Sequence, residues 1–179
     1  MIKQTQYFMH FLLINLNSLI NMRRQRAIYS IIILISISFS ACDQGSVYHE
    51  YITIEEANWH QDSILHYDVL IEDSLALNDF FINIRNNTDY PFSNLYLFLT
   101  TEFPNGHSTR DTIECILADK NGKWLGSGSG RIKDNKIMLQ QALRFPLGGT
   151  YNFSLEQGMR HEELKGIEDI GFSIEAHRQ

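Results

Sequence analysis

From residue 63 onward the chain repeats one pattern: short runs alternate apolar and polar residues, and each run stops at a turn signal. In "SILHYDVLI" (63–71), Leu65, Tyr67, Val69 and Ile71 fall on one face and His66 and Asp68 on the other. Phe80, Ile82 and Ile84 do the same in "FFINIR" (80–85), and Leu95, Leu97 and Leu99 in "NLYLFLT" (94–100), where Tyr96 and Phe98 make the second face apolar too. Ile113, Cys115 and Leu117 form another such face, then Tyr151, Phe153 and Leu155, then Ile170, Phe172 and Ile174. A period of two residues is the period of a strand with one buried face, because successive side chains point to opposite sides of a pleated sheet. "NNTDYP" (86–91), "FPNG" (103–106), "DKNG" (119–122) and "FPLGG" (145–149) supply the turns between runs. The spacing predicts an all-β chain, an antiparallel β-sandwich of jelly-roll or Ig-like type. At most a short helical turn is expected, in "EQGMRHEELKG" (156–166).

The front of the chain has a different character. Residues 22–42, "MRRQRAIYSIIILISISFSAC", place three arginines before an apolar run and the small residues Ser40 and Ala41 before Cys42. That is the order of a secretory signal, and the run is shorter than the roughly 20 apolar residues a bilayer-spanning helix needs. Ending in "FSAC", the segment resembles a bacterial lipobox, with Phe39 where leucine is commonest. The resemblance implies diacylglycerylation of the Cys42 thiol, cleavage before it, and acylation, palmitate being the expected kind, of the amine so freed. Several chains are needed because each buried methylene contributes about 0.8 kcal/mol and a single acyl chain anchors only marginally. A signal–anchor with a chance cysteine and a free periplasmic protein are the competing readings. Residues 1–21 fit no signal, since His10, Asn15 and Asn17 interrupt their apolar part; Met22 is read as the initiator and 1–21 as an overextended start. The expected organisation is therefore a signal peptide over 22–41, a lipidated start and short tether over 42–46, and one sandwich over 47–179.

Beyond Cys42 the chain holds 11 basic residues against 21 acidic ones, a formal charge of −10. A field of that sign repels polyphosphate, so nucleic acid is not an expected partner. Cys42 and Cys115 are the only cysteines, and a lipidated Cys42 has no thiol left to pair, which leaves Cys115 a buried free thiol on an apolar face. The glycine-rich "GKWLGSGSGR" (122–131) fails as a phosphate cradle, because Trp124 follows Lys123, and as a nucleophile elbow, because position 128 is glycine; a twisted strand or bulge is expected. In "HEELK" (161–165), Lys165 stands where a zinc-protease helix needs its second histidine, and the remaining histidines lack ligand spacing. "DKNG" lacks the downstream glutamate of a calcium loop and reads as a tight turn in which Asp119 bonds the local backbone. The sequence offers no catalytic constellation, no metal set and no cofactor motif.

Three segments carry a resemblance: "FINIRNNTDYPFSNLYLFLTTEFPNG" (81–106), "DTIECILADKNGKWLGSGSGRIKDNK" (111–136) and "RFPLGGTYNFSLEQGMRHEELKGIEDIGFSIE" (144–175). Together they resemble the gliding-motility lipoprotein GldH family of Bacteroidota, with Cys115 in place of an expected aromatic residue and Gly158 in place of an alanine that would favour a helical start. The resemblance implies a lipid-anchored envelope protein required for gliding and linked to the type IX secretion machinery. No enzymatic activity, cofactor or catalytic residue comes with it. Asp43 after the acceptor cysteine means inner-membrane retention under enterobacterial sorting, a rule that belongs to another phylum; the outer membrane is the favoured address.

Two functional readings compete, with an enzyme acting on glycan or peptide bonds as a weaker third. In the first, the sandwich docks onto other envelope motility or secretion proteins through two loops, one holding Arg85, Asn86, Asp89 and Tyr90 and the other Lys123 and Trp124. A tryptophan beside a cation is a common interface anchor. The bland alternative packs Trp124 under the glycine loop and uses Arg85 to close a hairpin. In the second reading the sandwich binds an envelope glycan by stacking on Trp59, Tyr90, Tyr96 or Trp124.

Overall fold

The structure, a computed structural model, describes residues 45–178. The signal segment, Cys42 and the proposed start at Met22 lie outside the described residues.

Two four-stranded antiparallel sheets face each other. The first takes the order β1–β10–β4–β7, from Ser46–Thr53, Ile167–Ala176, Asn78–Asn87 and Ile132–Leu143. The second takes β3–β8–β5–β6, from Leu65–Ile71, Gly149–Gln157, Asn94–Glu102 and Ser108–Ile116. Among the eight, only β5 and β6 follow one another within a sheet; every other consecutive pair crosses from one sheet to the other. That winding is a jelly roll, which decides between the two sandwich types the alternation allowed. A short ribbon of β2 (Asn58–His60) and β9 (Glu163–Lys165) closes one end.

The inward faces are the predicted ones. Leu65, Tyr67, Val69 and Ile71 are buried while His66 and Asp68 are exposed; Phe80, Ile82 and Ile84 point inward from β4. The centre is aromatic, with Phe153 and Phe172 in contact across the sheets at 4.6 Å between ring centroids and Tyr67 beside Phe172 at 5.7 Å. The Tyr67 hydroxyl donates to the Ile170 carbonyl oxygen at 2.9 Å, so the ring is buried without stranding its polar end. On β5, Tyr96 and Phe98 are half-buried: the Arg110 guanidinium lies over the Phe98 ring at 4.7 Å, and Met159 Sδ accepts from the Tyr96 N–H. Trp59 is fully buried where the β2–β9 ribbon covers the end of the core, and its indole N–H donates to the Ser63 carbonyl oxygen at 2.8 Å.

The expected helical turn over 156–166 is absent. β8 runs to Gln157, the Gly158 N–H continues the pairing onto the Tyr96 carbonyl oxygen at 2.7 Å, and β9 follows from Glu163. The Gln157 side chain takes over the turn, donating to the His161 carbonyl oxygen and accepting from the Met159 N–H. Strand pairing satisfies backbone groups that an isolated helical turn would have left open. Gly158 therefore weakens no helix; it lies in a strand extension.

Candidate functional site

Strand register sorts the connections onto two poles. At one pole Ser46 pairs with Glu175, Asn78 with Ala176 and Leu143, and Ile71 with Gly149. At the other, Thr53 pairs with Asp169, Asn87 with Ile132, and Asn94 with Ile116. The segments 86–93, 117–131 and 158–166, which hold many of the distinctive residues of the sequence, lie at this second pole, the motif pole, while "FPNG" and "FPLGG" lie at the first. The first, where the described chain begins, is the amino-terminal pole.

The motif pole is assembled around Tyr90. Its ring is 3 % exposed, its hydroxyl donates to the Asn94 carbonyl oxygen at 2.9 Å, and burial pushes its pKa above the ordinary tyrosine value. Tyr90 lies 5.6 Å from Phe92 and 6.5 Å from Trp124 between ring centroids. Its backbone passes directly over Gly166, where a Cβ would come within 2.8 Å of Tyr90 Cα and φ is +96°. No other residue type fits both the space and the left-handed backbone. Asn87 completes the seat: its N–H donates to the Gly166 carbonyl oxygen at 2.9 Å, and its side chain donates to Glu168 at 2.7 Å.

The glycine-rich segment folds back on the sheet. Ser127 and Asp134 exchange two backbone hydrogen bonds at 2.8 and 2.9 Å, and Gly126 passes so close to Asn135 that a Cβ would meet its Oδ1 at 2.7 Å. The segment is thus a loop held by isolated bridges rather than the twisted strand or bulge expected, though the close backbone approach expected of its glycines is present at Gly126. Before it, Asp119 accepts from the backbone N–H groups of Asn121 and Lys123 at 2.8 and 2.9 Å, the tight turn read from "DKNG". Those donors, led by Lys123 N–H, hold the Asp119 carboxyl below its ordinary range.

The docking residues proposed from sequence separate into three groups. Asp89, Lys123 and Trp124 reach the surface of the motif pole; Asp89 accepts from Arg131 at 2.7 Å, and Lys123 pairs with no carboxylate among the described residues. Trp124 is half-buried, one part against the core and one part in solvent, beside Leu125, which is 59 % exposed. Asn86 and Tyr90, by contrast, are buried and cannot touch a partner. Asn86 Oδ1 accepts from Asn135 at 2.9 Å, an internal clamp between β4 and β7. Arg85 belongs to the outer face of the first sheet: it donates to Asp134 at 2.7 Å, sits 3.6 Å from Asp169, and lies over the Tyr51 ring at 4.5 Å. Register alone puts both carboxylates directly opposite it. The alternation of "INIRNN" carried that information, since Asn86 has the inward parity of Ile82 and Ile84.

Sequence reasoning missed Arg131 as the partner of Asp89, and Ile132 and Ile116 as further exposed apolar side chains at this pole. A polar hollow of about 840 Å³ lies alongside, lined by Thr53, Glu56, Asn87, Asp89, Arg131 and Glu168 among others. Of the four aromatics considered for sugar stacking, Trp59 and Tyr90 are buried, which removes half of that platform. Cys115 is the buried thiol expected, its pKa pushed up to about 12 by burial and then by Glu114. Among the described residues, no group of three or more histidine, cysteine or acidic side chains is placed to hold a metal ion.

Comparison with known proteins agrees with the resemblance read from the motifs. A family model described as GldH lipoprotein matches residues 46–174, almost the whole sandwich. A protein of Christiangramia forsetii named gliding motility lipoprotein GldH homolog is 42% identical over 159 residues, 84% of this chain and 97% of its own length. Gliding motility lipoprotein GldH of Flavobacterium johnsoniae is 35% identical over 152 residues, 81% of this chain and 94% of its own. Among solved structures, a family GH115 4-O-methyl-α-glucuronidase matches 77% of this chain and 18% of its own at 10% identity and a TM-score of 0.41, too distant to bear on fold or function. The family model and the two relatives, each spanning most of the chain, make this protein a member of the GldH lipoprotein family.

Proposed function

We propose that this protein is a non-enzymatic, lipid-anchored component of the cell envelope that serves gliding motility and the associated type IX secretion machinery. Cys42 carries the lipid, and the outer membrane is the favoured address. The reading rests on the convergence of three motif-bearing segments, 86–93, 117–131 and 158–166, on one pole of the sandwich. There, Trp124 and Leu125 offer an apolar centre, and Lys123, Asp89 and Arg131 offer a charged rim. A half-buried aromatic with an exposed leucine beside it, ringed by charges, is the composition of a protein-docking patch. The rim pair Asp89–Arg131 is solvent-exposed on both sides and contributes registration more than affinity. Motility is the property named for the relatives in Christiangramia and Flavobacterium. No cofactor or metal enters the reading.

The test is cross-linked co-purification of the tagged full chain from detergent-solubilised envelopes, beside Cys42→Ser and Leu125→Asp. Motility or secretion subunits should come down with the unaltered protein and be lost from both variants. Retention of the same partners by Leu125→Asp would move the docking surface elsewhere. Recovery of no protein from any sample would leave an envelope glycan as the ligand, with Tyr96 and Trp124 as its remaining stacking residues.

A further inference from the structure

The described chain begins at Gly45, whose carbonyl oxygen accepts from the Ala176 N–H at 2.8 Å, so the start of β1 and the end of β10 are tied together at the amino-terminal pole. Three peptide steps separate Gly45 from Cys42. An extended chain covers about 3.3–3.6 Å per residue, so the acceptor cysteine lies within about 11 Å of Gly45 in any conformation.

That same pole presents apolar side chains which the core does not use. Val47 is 46% exposed, Leu70 59% and Leu75 77%. Leu70 breaks the polar outward row of its strand, where His66 and Asp68 precede it. Val47 and Leu70 flank a single shallow hollow of about 440 Å³ that Ala76, the neighbour of Leu75, also lines. The pole carries charges of both signs: Glu72 and Asp73 line the hollow, and Arg144 and Arg178 are exposed elsewhere at the same pole. An apolar surface of mixed charge, held within a few residues of a lipid anchor, matches the boundary between headgroups and acyl chains better than it matches an anionic surface.

We infer that the amino-terminal pole is a membrane-apposed face, with Val47, Leu70 and Leu75 resting in the interfacial layer of the bilayer that holds the Cys42 lipid. This rests on the reading of Cys42 as the lipid acceptor. The sandwich then stands on its amino-terminal pole, and the ten residues of β4 carry the motif pole roughly 33 Å away from the lipid. Trp124 and Leu125 are thereby presented to partners in the aqueous space, while the tether holds the other end down.

The experiment uses the mature lipidated chain in vesicles of zwitterionic phospholipid, with an environment-sensitive fluorophore at Leu75→Cys or, separately, at Leu125→Cys. Labelling is selective because Cys115 is buried and the Cys42 sulfur is alkylated. Spin labels carried on the lipid should quench the probe at position 75 several-fold more than the probe at position 125, with no change on adding salt. Mass spectrometry of the amino-terminal peptide reports the lipid independently. Equal quenching at the two positions with the lipid present on Cys42 overturns the membrane face and leaves the anchor standing. Absence of the lipid overturns both. A probe at position 75 already shielded in the Cys42→Ser protein without vesicles means that a second copy of the chain covers this pole, which also overturns the proposal.

Discussion

Gly166→Ala tests whether the motif pole is seated as described. The substitution demands a left-handed conformation of alanine, since φ is +96°, which costs about 1–2 kcal/mol. It also puts a methyl group 2.8 Å from Tyr90 Cα and 2.9 Å from Tyr90 N. The obstacle is backbone rather than the end of a flexible side chain, so the 88–91 turn must move, at about 1–3 kcal/mol for overpacking of this kind. Reduced freedom of the unfolded chain returns about 0.4–1 kcal/mol. The net loss is about 1–4.5 kcal/mol, a sizeable part of the roughly 5–15 kcal/mol that stabilises an ordinary domain. Urea unfolding reads it as a lower midpoint at unchanged slope. Gly130→Ala is the matched control: nothing lies within 4 Å of its Cβ and its φ is not left-handed, so it should be neutral or gain about 0.4–1 kcal/mol. The two substitutions are chemically identical and should move the midpoint in opposite directions or by very different amounts. A Gly166→Ala midpoint at or above that of the unaltered protein would refute the seating of Tyr90 on Gly166.

Trp124→Ala should cost about 1.5–2.5 kcal/mol, half the penalty of a fully buried tryptophan, and lose the partner as well, whereas Leu125→Asp should lose the partner with stability unchanged within about 0.5 kcal/mol. Arg85→Ala should lower stability by about 1 kcal/mol through lost cross-strand pairing and cation–π contact while partner recovery stays intact; lost partner at full stability would return Arg85 to the docking surface. At alkaline pH, Cys115 should add to a decline in melting temperature: its folded pKa of about 12 exceeds the ordinary 9.0, so its contribution is complete below 9.0 and is lost as pH rises towards 12, and Cys115→Ala should flatten that slope. At acid pH the sign reverses for Asp79, whose carboxyl is held below its ordinary 3.8 by the Ala142 N–H and then by His177; its contribution is complete above 3.8 and is lost as pH falls below it, so Asp79→Asn should flatten the acid limb of the same melting curve.

Where a strand buries one face, its residues announce it. β3, β4, β5, β8 and β10 place large apolar residues at every second position because those positions face the opposing sheet. The two edge strands of the first sheet stay silent for the converse reason. β1 has no fully buried side chain and β7 buries only Asn135, so neither shows an apolar alternation to read. The 156–166 segment misleads because glutamates and a lysine suit a helix as well as a loop, and what decides it is the pairing of Gly158 with Tyr96, 62 residues earlier in the chain. The docking residues divide along the same line. Lys123, Asp89 and Trp124 were legible as loop side chains, while the burial of Tyr90 and Asn86 depends on Gly166, in the turn between β9 and β10, and on Asn135 of β7.

The sequence by itself thus determined that the chain is a β-sandwich, that Cys115 is a buried free thiol, that "DKNG" is a tight turn, and which family its motifs belong to. These follow from side-chain parity and local spacing, which act between neighbours in the chain. Only the tertiary structure decided that the sandwich is a jelly roll, that Arg85 knits four strands, and that the segments 86–93, 117–131 and 158–166 gather at the pole away from Gly45. Those outcomes depend on which strands pair and in what register, and pairing is settled by burial of the whole core at once, which no short stretch of sequence carries.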